Sequence, residues 1–174
     1  MKINKKKGIL FWITGLSGSG KSSIASLIKV KIEKKYGPTI ICSGDDLRYI
    51  TSNYKYDKKD RLEFSKTKFK FYKFITEQNV NLIFSTISLF ESVRSENKKK
   101  IANYVEIFID SNLKDIVKKN KKKLYKKKNE KIWGIHIKPE FPKNADIEIK
   151  NDLKVSLKKL SNKLLREIDK VLKK

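Results

Sequence analysis

Gly15-Leu16-Ser17-Gly18-Ser19-Gly20-Lys21-Ser22 satisfies the pattern G-x-x-x-x-G-K-[S/T] at every fixed position. Before it, Ile9-Leu10-Phe11-Trp12-Ile13 is an unbroken apolar run, and after it Ile24, Leu27, Ile28 and Ile32 recur at helical spacing. A buried strand, a glycine-rich turn and an amphipathic helix in that order are what a phosphate loop requires. Glycines let backbone N–H groups wrap a phosphate, and the helix N-terminus adds partial positive charge. Lys21 then reaches the β- and γ-phosphates, and the Ser22 hydroxyl suits Mg²⁺. Gly15, Leu16, Ser17, Gly18, Ser19, Gly20, Lys21, Ser22 and Ser23 are therefore the candidate ATP site, with ATP and Mg²⁺ as expected cofactors.

Outward from this loop the chain alternates. The first helix stops at Tyr36-Gly37-Pro38, where glycine and proline supply a terminator. Thr39 to Cys42 reads as a second strand, residues 60–78 as a basic, aromatic-rich helix, and Val80 to Ser85 as a third strand. A shorter helix over residues 90–102 precedes a fourth strand, Tyr104 to Ile109, and Asp146 to Ile149 reads as an edge strand. Leu153, Leu157, Leu160, Leu164, Ile168 and Val171 mark a closing amphipathic helix over about residues 152–173. The alternation predicts an α/β chain: a P-loop nucleoside-kinase-like three-layer fold with about five mainly parallel strands and helices on both faces. A length of 174 residues fits one domain. The closing helix is expected to pack on its own domain or on a second copy, which leaves a homodimer open.

The 43 Lys+Arg against 19 Asp+Glu give a net charge of +24, which favours anionic partners. Nearly all of it is lysine, whose AT-rich codons are as good a reason for the surplus as polyanion binding; Arg48, Arg61, Arg94 and Arg166 are the four arginines. A lone Cys42 excludes an internal disulfide, and with His136 leaves too few soft ligands for zinc, so a reducing compartment fits. The basic start and the apolar run after it resemble a signal peptide, but the run leads straight into the phosphate loop and is expected to stay as a strand. No apolar run approaches the roughly 20 residues that span a bilayer, so the expected location is cytoplasmic, with no membrane partner.

Residues 118–131 carry nine lysines against Glu130. Such a block is a solvated face, or a lid over phosphates spanning about residues 113–135. The charge and the helix around Phe69, Phe71, Tyr72 and Phe74 also raise nucleic-acid binding or a polynucleotide end-kinase. Those aromatics are spaced as the core and polar faces of one helix, so a small-molecule nucleotide is the preferred partner.

Ligands of an open parallel sheet bind outside the carboxyl ends of its strands. That rule collects the phosphate loop, Asp45 with Arg48 shortly after, Thr86-Ile87-Ser88, and Asp110. Asp45 can orient or deprotonate an attacking hydroxyl or bind Mg²⁺, and otherwise reads as a turn or cap carboxylate. Asp110 reads as a helix cap before it reads as a metal ligand. Arg48 and Arg61 suit an anionic substrate, with surface ion pairs as the alternative.

From about Phe11 to Pro142 the chain resembles the adenylylsulfate kinase family. The stretch Phe11 to Ser22 is similar to that family's opening almost residue for residue. Gly44-Asp45-Asp46-Leu47-Arg48 resembles its Asp-Gly-Asp-Asn-x-Arg segment, Asp60-Arg61 its Asp-Arg pair, Ile87-Ser88 its Ile-Ser-Pro turn, and Leu124-Tyr125-Lys126-Lys127 its Leu-Tyr-Lys-Lys. Gly134-Ile135 with Pro142 resembles its Thr-Gly-Ile loop. The resemblance implies a kinase that phosphorylates a ribose 3′-hydroxyl using MgATP. It implies catalytic roles for Lys21, Asp45 and Lys126 and a Mg²⁺ site at Ser22 and Asp45. The implied substrate site is Asp45, Arg48, Tyr56, Arg61, Phe64, Ile87, Ser88, Lys126, Lys127 and Trp133, where Tyr56 and Trp133 sandwich the base or serve as ordinary packing.

The departures concentrate on the acceptor side. Ser43 replaces the family's first Asp, Phe64 an Asn, Leu89 a Pro, and Ser65-Lys66-Thr67 an Ile-Arg-Arg run, and two residues are missing before Trp133. A lysine-rich, arginine-poor chain with a rebuilt acceptor side resembles the cytidine diphosphoramidate kinases of capsule phosphoramidate synthesis. That resemblance implies cytidine diphosphoramidate as acceptor, with adenylylsulfate as the alternative.

Overall fold

The computed structural model describes residues 3–119 and 132–173. Strands β1 (Leu10–Thr14), β2 (Thr39–Ser43), β3 (Asn81–Thr86), β4 (Tyr104–Asp110) and β5 (Ile147–Lys150) form one sheet in the order β2-β3-β1-β4-β5. Every neighbouring pair is parallel. The crossovers carry α1 (Lys21–Tyr36), α2 (Gly44–Ile50), α3 (Lys58–Glu77), α4 (Glu91–Lys100) and α5 (Leu113–Lys119), and α6 (Leu157–Lys173) closes the chain.

The period of two along each strand sorts the core into two layers. Phe11 and Ile13 join Ile83, Val105, Ile107 and Ile109 under Ile24 and Ile28 of α1 and Leu164 and Ile168 of α6. Leu10 and Trp12 join Leu82 and Phe84 on the opposite face with Leu47 of α2, Phe64 and Tyr72 of α3 and Val93 of α4. The apolar run from Leu10 to Ile13 follows: each face meets helices, and the one polar residue of β1, Thr14, is buried with its hydroxyl bonded to the Ile87 carbonyl. The predicted α/β class, parallel sheet and two helical layers match this architecture.

Asparagines close the amino ends of the strands. Asn81 Oδ1 accepts from the Ile9 amide at 2.9 Å while its Nδ2 donates to the Tyr36 carbonyl at 3.0 Å. Asn103 Nδ2 donates to the carbonyls of Asn4 and Lys7 at 2.9 and 2.8 Å. With that end stitched shut, the carboxyl ends remain for a ligand.

Local details differ from the sequence expectations. α6 begins at Leu157, not near residue 152. Leu153 has a left-handed backbone (φ 64), and Asp152 Oδ1 accepts from the Lys154 amide at 2.9 Å, so the chain turns before Ser156, whose Oγ accepts from the Lys159 amide at 3.3 Å and caps the helix. α6 packs on α1 of its own chain, where Lys35 Nζ meets Asp169 Oδ2 at 2.6 Å. α2 is a helix of seven residues in a stretch to which the sequence reading assigned no element.

Candidate active site

The phosphate loop joins β1 to α1, and backbone geometry demands its glycines. A Cβ at Gly15 would lie 2.5 Å from the Ile109 carbonyl oxygen. Gly20 caps α1 in the left-handed region (φ 89), and no side chain caps the helix there. The first-turn amides of α1 therefore face the loop, which is the arrangement that receives an anion. Lys21 is buried, and its Nζ donates to the Leu16 carbonyl at 2.6 Å. Ser22 Oγ lies 3.2 Å from Ser85 Oγ at the end of β3.

α2 brings the first carboxylate. Ser43 caps the helix: its Oγ accepts from the Asp46 amide at 3.1 Å, and Asp46 Oδ2 accepts from the Ser43 amide at 2.7 Å. This reciprocal pair engages Asp46 and leaves Asp45 lining the cavity opposite Ser22 and Ser23. Ser43 thus stands in the family's Asp position as a helix cap. Thr86 Oγ1 would sit 3.1 Å from a Cβ at Gly44, so the glycine lets α2 close onto β3.

The cavity has a volume of about 410 Å³. Ser17, Lys21, Ser22, Asp45, Thr86 and Ile87 line its phosphate-loop end; Ile116, Leu153, Val155 and Leu157 line the other. Among the described residues no group of three His, Cys, Asp or Glu side chains could hold a metal by itself. That fits Mg²⁺, which binds through one or two protein oxygens and the phosphates of a nucleotide rather than in an all-protein cage. Ser22 and Asp45 supply such oxygens.

Beside this cavity lies a cationic, aromatic cluster in which Arg48, Phe64 and Trp133 are buried and Tyr56 is exposed. The Arg48 guanidinium sits 4.4 Å from the Tyr56 ring centre and 4.7 Å from that of Phe64. Its Nη1 donates to the carbonyls of Asn53 and Lys55, both at 2.9 Å. Arg61 lies over Tyr56 at 5.1 Å and over Trp133 at 6.0 Å, and its Nε donates to the Tyr56 carbonyl at 2.6 Å. Burial lowers the Arg48 pKa, and Tyr56, Asp45 and Asp60 oppose that shift. The structure thus brings Arg48, Tyr56, Arg61, Phe64 and Trp133 together. Tyr56 and Trp133 are each covered by Arg61, and Trp133 packs edge-on against Phe90 at 4.8 Å.

Ile87 lines the cavity, and its carbonyl accepts from Thr14 Oγ1 at 3.1 Å; Ser88 is buried behind it, with no hydrogen-bond partner for Oγ among the described residues. Lys126 and Lys127, with most of the lysine block, lie outside the described residues. Asp110 is not the expected cap of α5. Asn112 takes that place, its Oδ1 accepting from the Lys114 amide at 2.8 Å, because the helix starts at Leu113, two residues later than a cap at Asp110 would require.

Three residues beyond the sequence expectation complete the site. Asn151, almost fully buried after β5, donates from Nδ2 to the Ser19 carbonyl at 2.9 Å and so holds the phosphate loop. Ser85 faces Ser22. Lys119, in α5, lines the cavity and donates from Nζ to the Leu153 carbonyl. The rule that strand carboxyl ends face the ligand could have found Ser85 and Asn151, since each ends or follows a strand.

A family model described as adenylylsulphate kinase matches residues 7–150. The chain is similar to the cytidine diphosphoramidate kinase of Campylobacter jejuni, at 32% identity over 94% of this chain and 98% of that protein. It is similar to the adenylyl-sulfate kinase of Gloeothece citriformis at 31% identity, over 95% of this chain and 96% of that protein. Among solved structures, the Mycobacterium tuberculosis APS kinase in complex with AMPPNP and APS superposes with a TM-score of 0.82 at 25% identity, covering 94% of this chain and 98% of that one.

Proposed function

The chain belongs to the adenylylsulfate kinase family and is a phosphotransferase with an alcohol group as acceptor, and we propose that it phosphorylates the ribose 3′-hydroxyl of a nucleoside 5′ mixed anhydride, cytidine diphosphoramidate, with ATP as donor. The observation that carries this reading is the adjoining of two surfaces: a phosphate-loop cavity with Asp45 on its rim, and a patch where Arg48 and Arg61 lie against Tyr56, Phe64 and Trp133. One surface holds a triphosphate. The other offers guanidinium groups to an anhydride and aromatic faces to a base.

In this reading residues 15–23 bind the ATP phosphates, Lys21 reaches the transferred group, and Ile116, Leu153, Val155 and Leu157 wall the adenine. Ser22 and Asp45 hold Mg²⁺, which supplies neutralisation of charge on the phosphates. Asp45 accepts the proton of the 3′-hydroxyl as its oxygen bonds to the γ-phosphorus, the bridging β–γ bond breaks, and ADP leaves. Arg48 and Arg61 hold the anhydride, Ile87 and Ser88 close the floor between donor and acceptor, and Lys126 and Lys127, which lie outside the described residues, are assigned a substrate role by the family resemblance alone.

The cytidine compound is preferred because the departures from the adenylylsulfate pattern fall on the acceptor side, Phe64 above all, and because a cytidine diphosphoramidate kinase is similar along 98% of its length. Capsular phosphoramidate synthesis is then the process served. Adenylylsulfate as acceptor is the second reading, favoured by the 31% identity to an adenylyl-sulfate kinase. We place the enzyme in the cytoplasm as a single kinase domain; no described helix is long and apolar enough to cross a membrane. α6 is committed to its own α1, so a homodimer would use another face. The test is kcat/KM for each acceptor measured separately with MgATP: a ratio of at least tenfold toward the cytidine compound is expected, and equal or reversed values refute the acceptor assignment.

A further inference from the structure

Lys68 lies in the middle of α3, one turn beyond Phe64, and is 6% exposed. A lysine so buried is ordinarily paired with a carboxylate. Here the Phe64 ring, 5.5 Å from Nζ, is its contact, and among the described residues it makes no hydrogen bond or ion pair. The charged groups acting on it are Arg48 from α2 and Arg61 from its own helix, both positive. Arg48 is itself offset by Tyr56, Asp45 and Asp60, but among the described residues no carboxylate acts on Lys68.

Three cations therefore converge on the rings of Tyr56 and Phe64. The carbonyls of Asn53 and Lys55 that receive Arg48 bring no net charge. Burying the Lys68 amine beside two guanidinium groups, with no carboxylate acting on it among the described residues, is costly, and a methionine would fill the same space without that cost. The arrangement makes sense if an anion from outside completes it.

We infer that Lys68 is a specificity residue of the acceptor site, forming with Arg48 and Arg61 a three-cation pocket that takes a doubly charged anionic group, the 5′ anhydride of the acceptor nucleotide. The inference rests on the acceptor site proposed above. Burial and the two arginines push the Lys68 pKa down to about 7. An arriving anion favours the charged amine, so binding above pH 7 takes up a proton and weakens as pH rises.

The test is isothermal titration with inorganic sulfate, which stays doubly charged over this range, with Mg²⁺ and a non-hydrolysable ATP analogue filling the phosphate loop. Wild type, Lys68→Met and Lys68→Arg are compared at pH 6 and pH 8.5. Sulfate affinity is expected to fall about tenfold in Lys68→Met at pH 6. Between pH 6 and 8.5 the wild type should weaken and Lys68→Arg should not. Lys68→Met should melt no lower than wild type, which separates lost binding from lost fold. Equal sulfate affinity in wild type and Lys68→Met, or the same pH response in Lys68→Arg as in wild type, overturns the inference. If sulfate binds as expected while neither nucleotide acceptor is phosphorylated, the anion pocket stands and the proposed reaction falls.

Discussion

Asn151 reaches back across the sheet to Ser19: its side-chain amide donates to that carbonyl at 2.9 Å, while its own backbone amide donates to Asp110 at 2.7 Å. The segment after the edge strand is thereby fastened to the phosphate loop. Loop shape and the apolar end of the cavity are set by one buried side chain.

Asn151→Leu removes that tie. A buried hydrogen bond contributes about 1 kcal/mol, and a stranded carbonyl costs about as much again. ATP affinity is expected to fall roughly tenfold, with a melting temperature only a few degrees lower. Equilibrium binding of ATP checks it; unchanged affinity would remove Asn151 from the donor site.

Asp45 and Asp46 are neighbours with opposite expected phenotypes. Asp46 is held by the Ser43 amide at 2.7 Å, whereas Asp45 lines the cavity. Asp45→Asn should lower kcat by about a hundredfold or more while ATP affinity stays within a few-fold. Asp46→Ala should cost about 1 kcal/mol of stability through the lost cap. Steady-state kinetics and denaturant unfolding of both variants separate the roles; an Asp45→Asn enzyme with near-normal kcat would transfer the catalytic role elsewhere.

Lys21→Ala should abolish phosphate transfer and leave the fold intact. Its amine donates to the Leu16 carbonyl at 2.6 Å and lies 3.5 Å from Ser19 Oγ, both within the phosphate loop, so circular dichroism and thermal melting should remain near wild type while turnover is lost.

Much of this fold is readable without coordinates, for physical reasons. β1 is buried on both faces and is apolar up to Thr14, whose hydroxyl bonds the Ile87 carbonyl, and the loop after it needs glycine where a Cβ would strike Ile109. What escapes has weaker local signals. α2 has seven residues, too few for an apolar period, and its one mark is the Ser43–Asp46 cap pair. Asn151 meets Ser19 across 132 residues, a contact that only topology creates. Lys68 sits in a helix crowded with lysines, and composition alone does not separate the buried one from the exposed ones.

Lys68 also sets a pH dependence of stability. Its folded pKa is lowered from 10.5 to about 7, so between those values the unfolded chain binds the extra proton and stability rises with pH. Below pH 7 both states are protonated and the penalty is complete. The slope approaches roughly 1.4 kcal/mol per pH unit at most. Urea unfolding at pH 7, 8 and 9 should show stability increasing in wild type and a flatter profile in Lys68→Met; identical profiles would mean that Lys68 is charged and solvated in the folded state.

The most direct test of the central claim is a competition in one tube. Purified protein and MgATP are given equal amounts of cytidine diphosphoramidate and adenylylsulfate, and ³¹P NMR follows which nucleotide gains a phosphate and at which hydroxyl. The expected result is a new 3′-phosphate on the cytidine compound while adenylylsulfate remains. Exclusive phosphorylation of adenylylsulfate, or transfer to neither, would contradict the account.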